Sequence, residues 1–202
     1  PPSPWVKLGA SSSKRMEVSR PSRVLAKFRI LPFNPSTGVA PARNPEWFPM
    51  SRSIFISVHP EFATAILSGE KTAEIRRVRP KDVQTGSMAY VYVSAPIKSL
   101  MGVVRVEKVI SGSIASLREV AHLHAQITPQ QYESYVDGLT RAHAIMIAEK
   151  WNLDEPMSLD TLRDIWPGFH PPQSFRYLAR SDSGAAKLMA RVQELLPTLQ
   201  PS

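Results

Sequence analysis

Between residues 54 and 110 the chain passes through short β-branched or aromatic runs broken by proline and glycine, without the regular βαβ period of a parallel sheet. Ile54-Phe55-Ile56-Ser57-Val58 reads as a buried strand that ends at His59-Pro60. Pro60 suits the first turn of a helix through Glu61–Leu67, closed by Gly69 as a left-handed cap. Lys71–Val78, Met88–Ser94 and Leu100–Ile110 read as further strands, separated by the turn Val83–Gly86 and by Ala95-Pro96. Helical spacing follows over Ser113–His124 and Pro129–Val136, with Ser113 and Thr128 as N-caps. Ala142–Lys150 is a strand by pattern, Ser158 caps a short helix to Ile165, Ser174–Ala179 is a last strand, and Ser183 begins a helix through Leu196. The expected class is α+β: a small, mixed, mainly antiparallel β-barrel with flanking helices on its outside.

Composition sets the limits of that reading. A chain of 202 residues that is 43% hydrophobic can bury one real core, with or without a tail. Cysteine is absent, which excludes disulfides, thiol chemistry and thiolate metal sites and fits a reducing cytoplasm. No apolar run reaches the roughly 18 residues that would span a bilayer, so no membrane partner is expected. Residues 1–49 hold eight Lys or Arg against two Glu, whereas residues 50–202 hold 17 against 15, so the basic balance belongs mostly to the first segment. That segment opens on Pro1-Pro2-Ser3-Pro4, and Met16 and Met50 are internal candidates for a start. Its Arg- and Ser-rich run resembles a transit peptide in composition, but Asn34-Pro35, Ala40-Pro41 and Asn44-Pro45 interrupt any long amphipathic helix. Residues 1–49 are therefore expected to be a disordered, untargeted extension, 50–180 the domain, and 181–202 a C-terminal helix or tail.

Charge concentrates after Gly69. From Lys71 to Lys81 there are five cations and one carboxylate, Glu74. Strand alternation puts Thr72, Glu74 and Arg76 on one face and Ala73 and Ile75 on the other. The Gly69 turn can present the Lys71 amine to a cleft, where it contacts a phosphate or a base, or acts as a general base if burial and neighbouring arginines lower its pKa. Glu74 and Arg76 lie within ion-pair reach; exposed, such a pair contributes only ~0–1 kcal/mol, whereas in a cleft it reads a base edge and a phosphate. Arg77, Arg79 and Lys81 form a basic rim. Tyr90 and Tyr92 share a strand face, where they stack on bases or fill the core. Gln173-Ser174 supplies an amide and a hydroxyl at the start of the closing strand. His122 and His124 fall on different faces of their helix, and the sequence offers no metal set and no cofactor motif.

Gly69-Glu70-Lys71-Thr72-Ala73-Glu74-Ile75-Arg76 resembles the G-x-K-x-x-E-x-R signature of ASCH domains, the PUA-like small β-barrels proposed to bind RNA. Ile56–Pro60 resembles their first strand and helix start, Tyr92–Pro96 the strand after the signature, and Pro171–Leu178 the closing strand. The likeness covers roughly residues 53–180 and is closest to the bacterial and archaeal branch of predicted transcriptional regulators. It implies a cleft that holds RNA, or a modified nucleoside or nucleotide, against Gly69, Lys71, Glu74, Arg76, Arg77, Tyr92, Gln173 and Ser174. The alternative it implies is a metal-independent hydrolase using Lys71 and Glu74, either a ribonuclease or an N4-acetylcytidine amidohydrolase. Amidohydrolases of the family place a nucleophilic threonine three residues after the lysine; Glu74 stands there, and Thr72 matches a second, non-nucleophilic threonine. A further departure is Ala142-His143-Ala144-Ile145, where the branch has Gly-Tyr-Ala-hydrophobic. Oligomeric state is left open.

Overall fold

A computed structural model describes residues 52–196. The expected disordered extension, 1–49, lies outside the described residues. Six strands form one sheet in the order β2-β5-β4-β3-β1-β6: β1 (Ser53–Val58), β2 (Ala73–Arg76), β3 (Met88–Val93), β4 (Ser99–Ser113), β5 (Arg141–Ser158) and β6 (Phe175–Leu178). Every neighbouring pair is antiparallel except β1 and β3, which run parallel across the connection that carries α1 (Pro60–Ser68). The α+β class stands. The expected closed barrel does not: β2 and β6 are the ends of the hydrogen-bonded order, and no ladder joins them.

The two faces of the sheet follow from alternation. Ile54, Ile56 and Val58 of β1, Ala89, Val91 and Val93 of β3, and Val104 and Val106 of β4 form an inner core with Ala63 and Ile66 of α1. A nine-residue helix is marginal alone, and burying such side chains, worth ~1.5–3 kcal/mol for each large one, holds α1 on that face. Phe55, Met88, Tyr90 and Tyr92 point the other way and pack with α4 (Leu159–Ile165) and α5 (Ser183–Leu195) through Leu162, Leu188 and Val192. A third core joins Ala73 and Ile75 of β2 and Ala142 and Ala144 of β5 to α2 (Ile114–Ala125) and α3 (Pro129–Val136). All of β3 is buried because both of its faces are covered.

The caps behave as their chemistry requires. The Ser113, Thr128 and Ser158 side chains each accept an amide hydrogen bond from the first turn of their helices, and Thr128 completes a capping box with Gln131. Gly69 closes α1 at φ +90°, with its amide donating to the Ile66 carbonyl. Helix α5 begins at Ser183, as expected, with the Asp182 side chain as its cap. Three strands depart from pattern, one of them the expected Leu100–Ile110, which runs over Ser99–Ser113. Lys71–Val78 shrinks to Ala73–Arg76, and Ala142–Lys150 lengthens to Arg141–Ser158. Part of the added length pairs with β4, and Pro156 falls where the register skips from Asn152 to Met157, so it costs no ladder bond.

Candidate functional site

Lys71 reaches the interior because the Gly69 turn reverses the chain and the Lys71 amide then donates to the Ala65 carbonyl (2.9 Å) at the end of α1. Its side chain is wholly buried. The ammonium donates to the carbonyl of Ala125, the last residue of α2 (2.7 Å), and meets Oε2 of Glu74 at 3.2 Å. It also stands 4.8 Å from the centre of the Phe62 ring, over its negative face. Burial lowers the Lys71 pKa from its ordinary value, and the Glu74 carboxylate works against that shift without reversing it. These contacts hold the Lys71 amine in place beside Glu74.

Glu74 and Arg76 point to the inner side of the sheet, as alternation requires. The face is not a solvated one: Glu74 is 8% and Arg76 4% exposed. Oε1 of Glu74 forms an ion pair with Nη2 of Arg76 at 3.1 Å. The same guanidinium donates to the Ser57 carbonyl of β1 (3.0 Å) and to the Ser174 carbonyl just before β6 (3.3 Å), with the Ser174 hydroxyl at 3.5 Å. Arg76 thus ties β2 to the far end of the sheet order, across the gap a closed barrel would fill with a ladder. Its Nε–H is buried and has no hydrogen-bond partner among the described residues.

Above this cluster lies a cleft of about 1080 Å³ between α1, α3, β2 and the segment leading into β6. Lys71, Glu74, Arg76, Arg77, Gln173 and Ser174 all line it. Three expected site residues serve differently. Tyr92 is 3% exposed in the core beneath α4 and α5, with its ring 5.6 Å from that of Phe55, and Tyr90 is buried beside it. Gly69 terminates α1 and does not line the cleft. Arg77 donates to the carbonyls of Tyr135 (2.7 Å) and Asp137 (3.2 Å), which fastens the end of α3 to the strand.

Residues 56–151 match the ASCH domain family. An ASCH domain-containing ribonuclease of Zymomonas mobilis is 33% identical over 135 residues, covering 67% of this chain and 90% of that protein.

The chain belongs to the ASCH-domain family.

Crystal structures carry the likeness into three dimensions. The ASCH protein of Zymomonas mobilis superposes with a TM-score of 0.62 at 33% identity, covering 68% of this chain and 94% of that one. A serine-to-alanine mutant of it gives 0.63 at 32% identity, covering 69% and 95%.

In this ASCH domain the unusual His143 is opposite Arg76 in the β2–β5 register, but its Nδ1 pairs with the Ser111 hydroxyl at 2.8 Å and it does not line the cleft. Burial, then the positive charges of Arg79 and Arg141, lower its pKa. Thr72 precedes β2, and its hydroxyl lies 3.0 Å from Nδ1 of His124, outside the cleft. Sequence reading did not single out the α1 and α3 walls, His59, Phe62, Gln130, Ser134 and Tyr135. One signal was present: Tyr132 and Tyr135 lie three apart on a short helix, yet only one of them is needed for its apolar face. Among the described residues, no group of three or more His, Asp or Glu is placed to hold a metal ion, and no helix is long and apolar enough to cross a membrane.

Proposed function

We propose that this ASCH domain binds RNA in the cleft beside Lys71, Glu74 and Arg76 and cleaves it. One observation carries the reading: two buried cations and one carboxylate converge on the cleft floor, a net positive charge held in low dielectric where a phosphodiester gains most from it. The likeness to a ribonuclease over 90% of that protein supports it.

In the proposed step the Glu74 carboxylate, about a tenth of whose side chain is exposed, takes the proton of a ribose 2′-hydroxyl. The 2′-oxygen bonds to phosphorus, the bond from phosphorus to the 5′-oxygen breaks, and that oxygen leaves with a proton from solvent. Arg76 and Lys71 offset the negative charge that builds on the non-bridging phosphate oxygens. The products are a 2′,3′-cyclic phosphate and a 5′-hydroxyl end.

An amidohydrolase reading lacks its nucleophile. Glu74 occupies the threonine position, and the Thr72 hydroxyl faces His124 away from the cleft. A purely regulatory RNA-binding role requires the same cleft without the bond cleavage.

The deciding experiment incubates the full chain, as wild type and as Glu74→Gln at a temperature where circular dichroism shows the variant folded, with single-stranded RNA, with its 2′-deoxy counterpart and with N4-acetylcytidine, each followed by mass spectrometry. Cyclic-phosphate ends from RNA alone, formed ~10²–10⁴-fold more slowly by the variant, are the expected result. Intact RNA throughout returns the protein to a binding module, and loss of an acetyl mass would instead establish amide hydrolysis.

A further inference from the structure

Tyr135 is the large aromatic side chain that the cleft leaves open. The residue is 37% exposed on the wall made by α3, whereas Tyr132, one turn earlier, is 1% exposed in the core. Exposure here does not mean freedom. The Tyr135 hydroxyl donates to the Ile75 carbonyl of β2 (3.2 Å), and Arg77, two residues on from Ile75, donates to the Tyr135 backbone carbonyl (2.7 Å). Both ends of the residue are therefore fixed to the strand that carries Glu74 and Arg76, and the ring cannot swing away from the cleft.

Polar groups in the same cleft are exposed and open to a ligand. Gln130 on α3 and Gln173 ahead of β6 line it, and neither side-chain amide has a hydrogen-bond partner among the described residues. Each offers a donor and an acceptor, the combination that reads the edge of a nucleobase. A locked aromatic face, free amides and a cationic floor together match an unpaired nucleotide: flat apolar base, polar base edge, anionic phosphate.

We propose that Tyr135 is a base-stacking subsite, on which one unpaired base of the bound RNA lies flat against the ring while its phosphate faces the Arg76 side of the cleft. This rests on the RNA-binding reading above but not on cleavage. The structural alternative is that the hydroxyl alone matters, as a staple between α3 and β2. The two differ in what the ring does once the hydroxyl is gone.

The test titrates the full chain, as wild type, Tyr135→Phe and Tyr135→Leu, with a fluorescently labelled 2′-O-methyl RNA octamer and with the same octamer made abasic throughout. The 2′-O-methyl groups block attack by the 2′-oxygen, so binding is read without turnover. Stacking predicts that Tyr135→Phe binds the octamer within about twofold of wild type, that Tyr135→Leu binds it about tenfold or more weakly, and that all three bind the abasic strand alike. Melting temperatures identify a variant that fails to fold, and in that case the wild-type preference for the base-bearing over the abasic strand decides: tenfold or more supports the subsite, none overturns it. Equal losses for Phe and Leu, or losses for Leu that are as large on the abasic strand, would also overturn it. Wild type that binds neither strand would refute RNA binding itself, a separate failure.

Discussion

The ammonium of Lys71 and the carboxylate of Glu74 meet at 3.2 Å with the lysine side chain fully enclosed, so the ammonium depends on Glu74 as its counter-ion, whereas Glu74 is also paired with Arg76. Glu74→Gln leaves the ammonium without its counter-ion in a site that water does not reach. The expected loss is about 3–5 kcal/mol of stability. Lys71→Met keeps the volume, leaves Glu74 paired with Arg76, and strands only the Ala125 carbonyl, for about 1–3 kcal/mol. Chemical denaturation of the two variants checks the order; equal losses would mean that the pair is not a coupled unit.

The same burial predicts a pH dependence with a definite sign. Lys71 has a folded-state pKa below its unfolded value of 10.5, so between the two the unfolded chain binds the extra proton and stability rises with pH. Below the folded pKa the cost of the buried ammonium is present in full. Tyr90, whose pKa burial raises, acts oppositely above about pH 10, because there the unfolded chain releases a proton that the folded chain keeps. The Lys71 contribution is isolated by subtracting Lys71→Met: the wild-type advantage should grow as pH rises toward 10. An advantage that shrinks over that range would contradict the assignment.

Arg76→Lys retains the charge and loses the planar fork that spans from β2 to Ser57 and Ser174. Hydrogen bonds from a charged donor contribute about 1.5–3 kcal/mol each, so the segment before β6 should open more readily than the sheet centre. Amide exchange is the direct measure. Faster exchange at Ser57, whose amide bonds to the Ser174 carbonyl at 3.0 Å, with β3 unchanged, is the expected pattern. Uniform acceleration across the sheet would instead mark global destabilisation.

Gly184→Ala separates fold from site. A Cβ at Gly184 would collide with the indole of Trp166, which packs against Phe169 and lies under the Arg176 guanidinium at 4.3 Å. Overpacking of this kind costs about 1–3 kcal/mol. Because α5 and Trp166 lie outside the cleft, the melting temperature should fall while affinity for single-stranded RNA stays within about twofold at a temperature where the variant is folded. A comparable loss of affinity would couple α5 to the cleft.

Much of the local structure was legible in the sequence because it is decided within a few residues. The Ser113, Thr128 and Ser158 caps and the left-handed Gly69 depend on side chains meeting their own backbone, and they stand where expected. Alternation along β2 also held for Glu74 and Arg76, since period two is a property of the strand itself. The longer course of β5 was hidden because Pro156 and its acidic neighbours look like a break, and they lie where the pairing with β4 skips from Asn152 to Met157 before resuming.

What the sequence by itself determined was therefore the menu of elements, the family signature at Gly69–Arg76 and the parity of its side chains. Tertiary structure alone decided that both faces of β2 are interior. Alternation cannot distinguish a solvated face from one that curls toward the opposite end of its own sheet, and it is the approach of Ser57 and Ser174 to Arg76 that encloses the charges. The same holds for the aromatics. Tyr92 on a strand and Tyr135 on a helix are equal candidates by residue type, but α4 and α5 cover the first, and the Ile75 carbonyl and Arg77 hold the second in the cleft. Burial depends on what packs from elsewhere in the chain, and no local pattern contains that information.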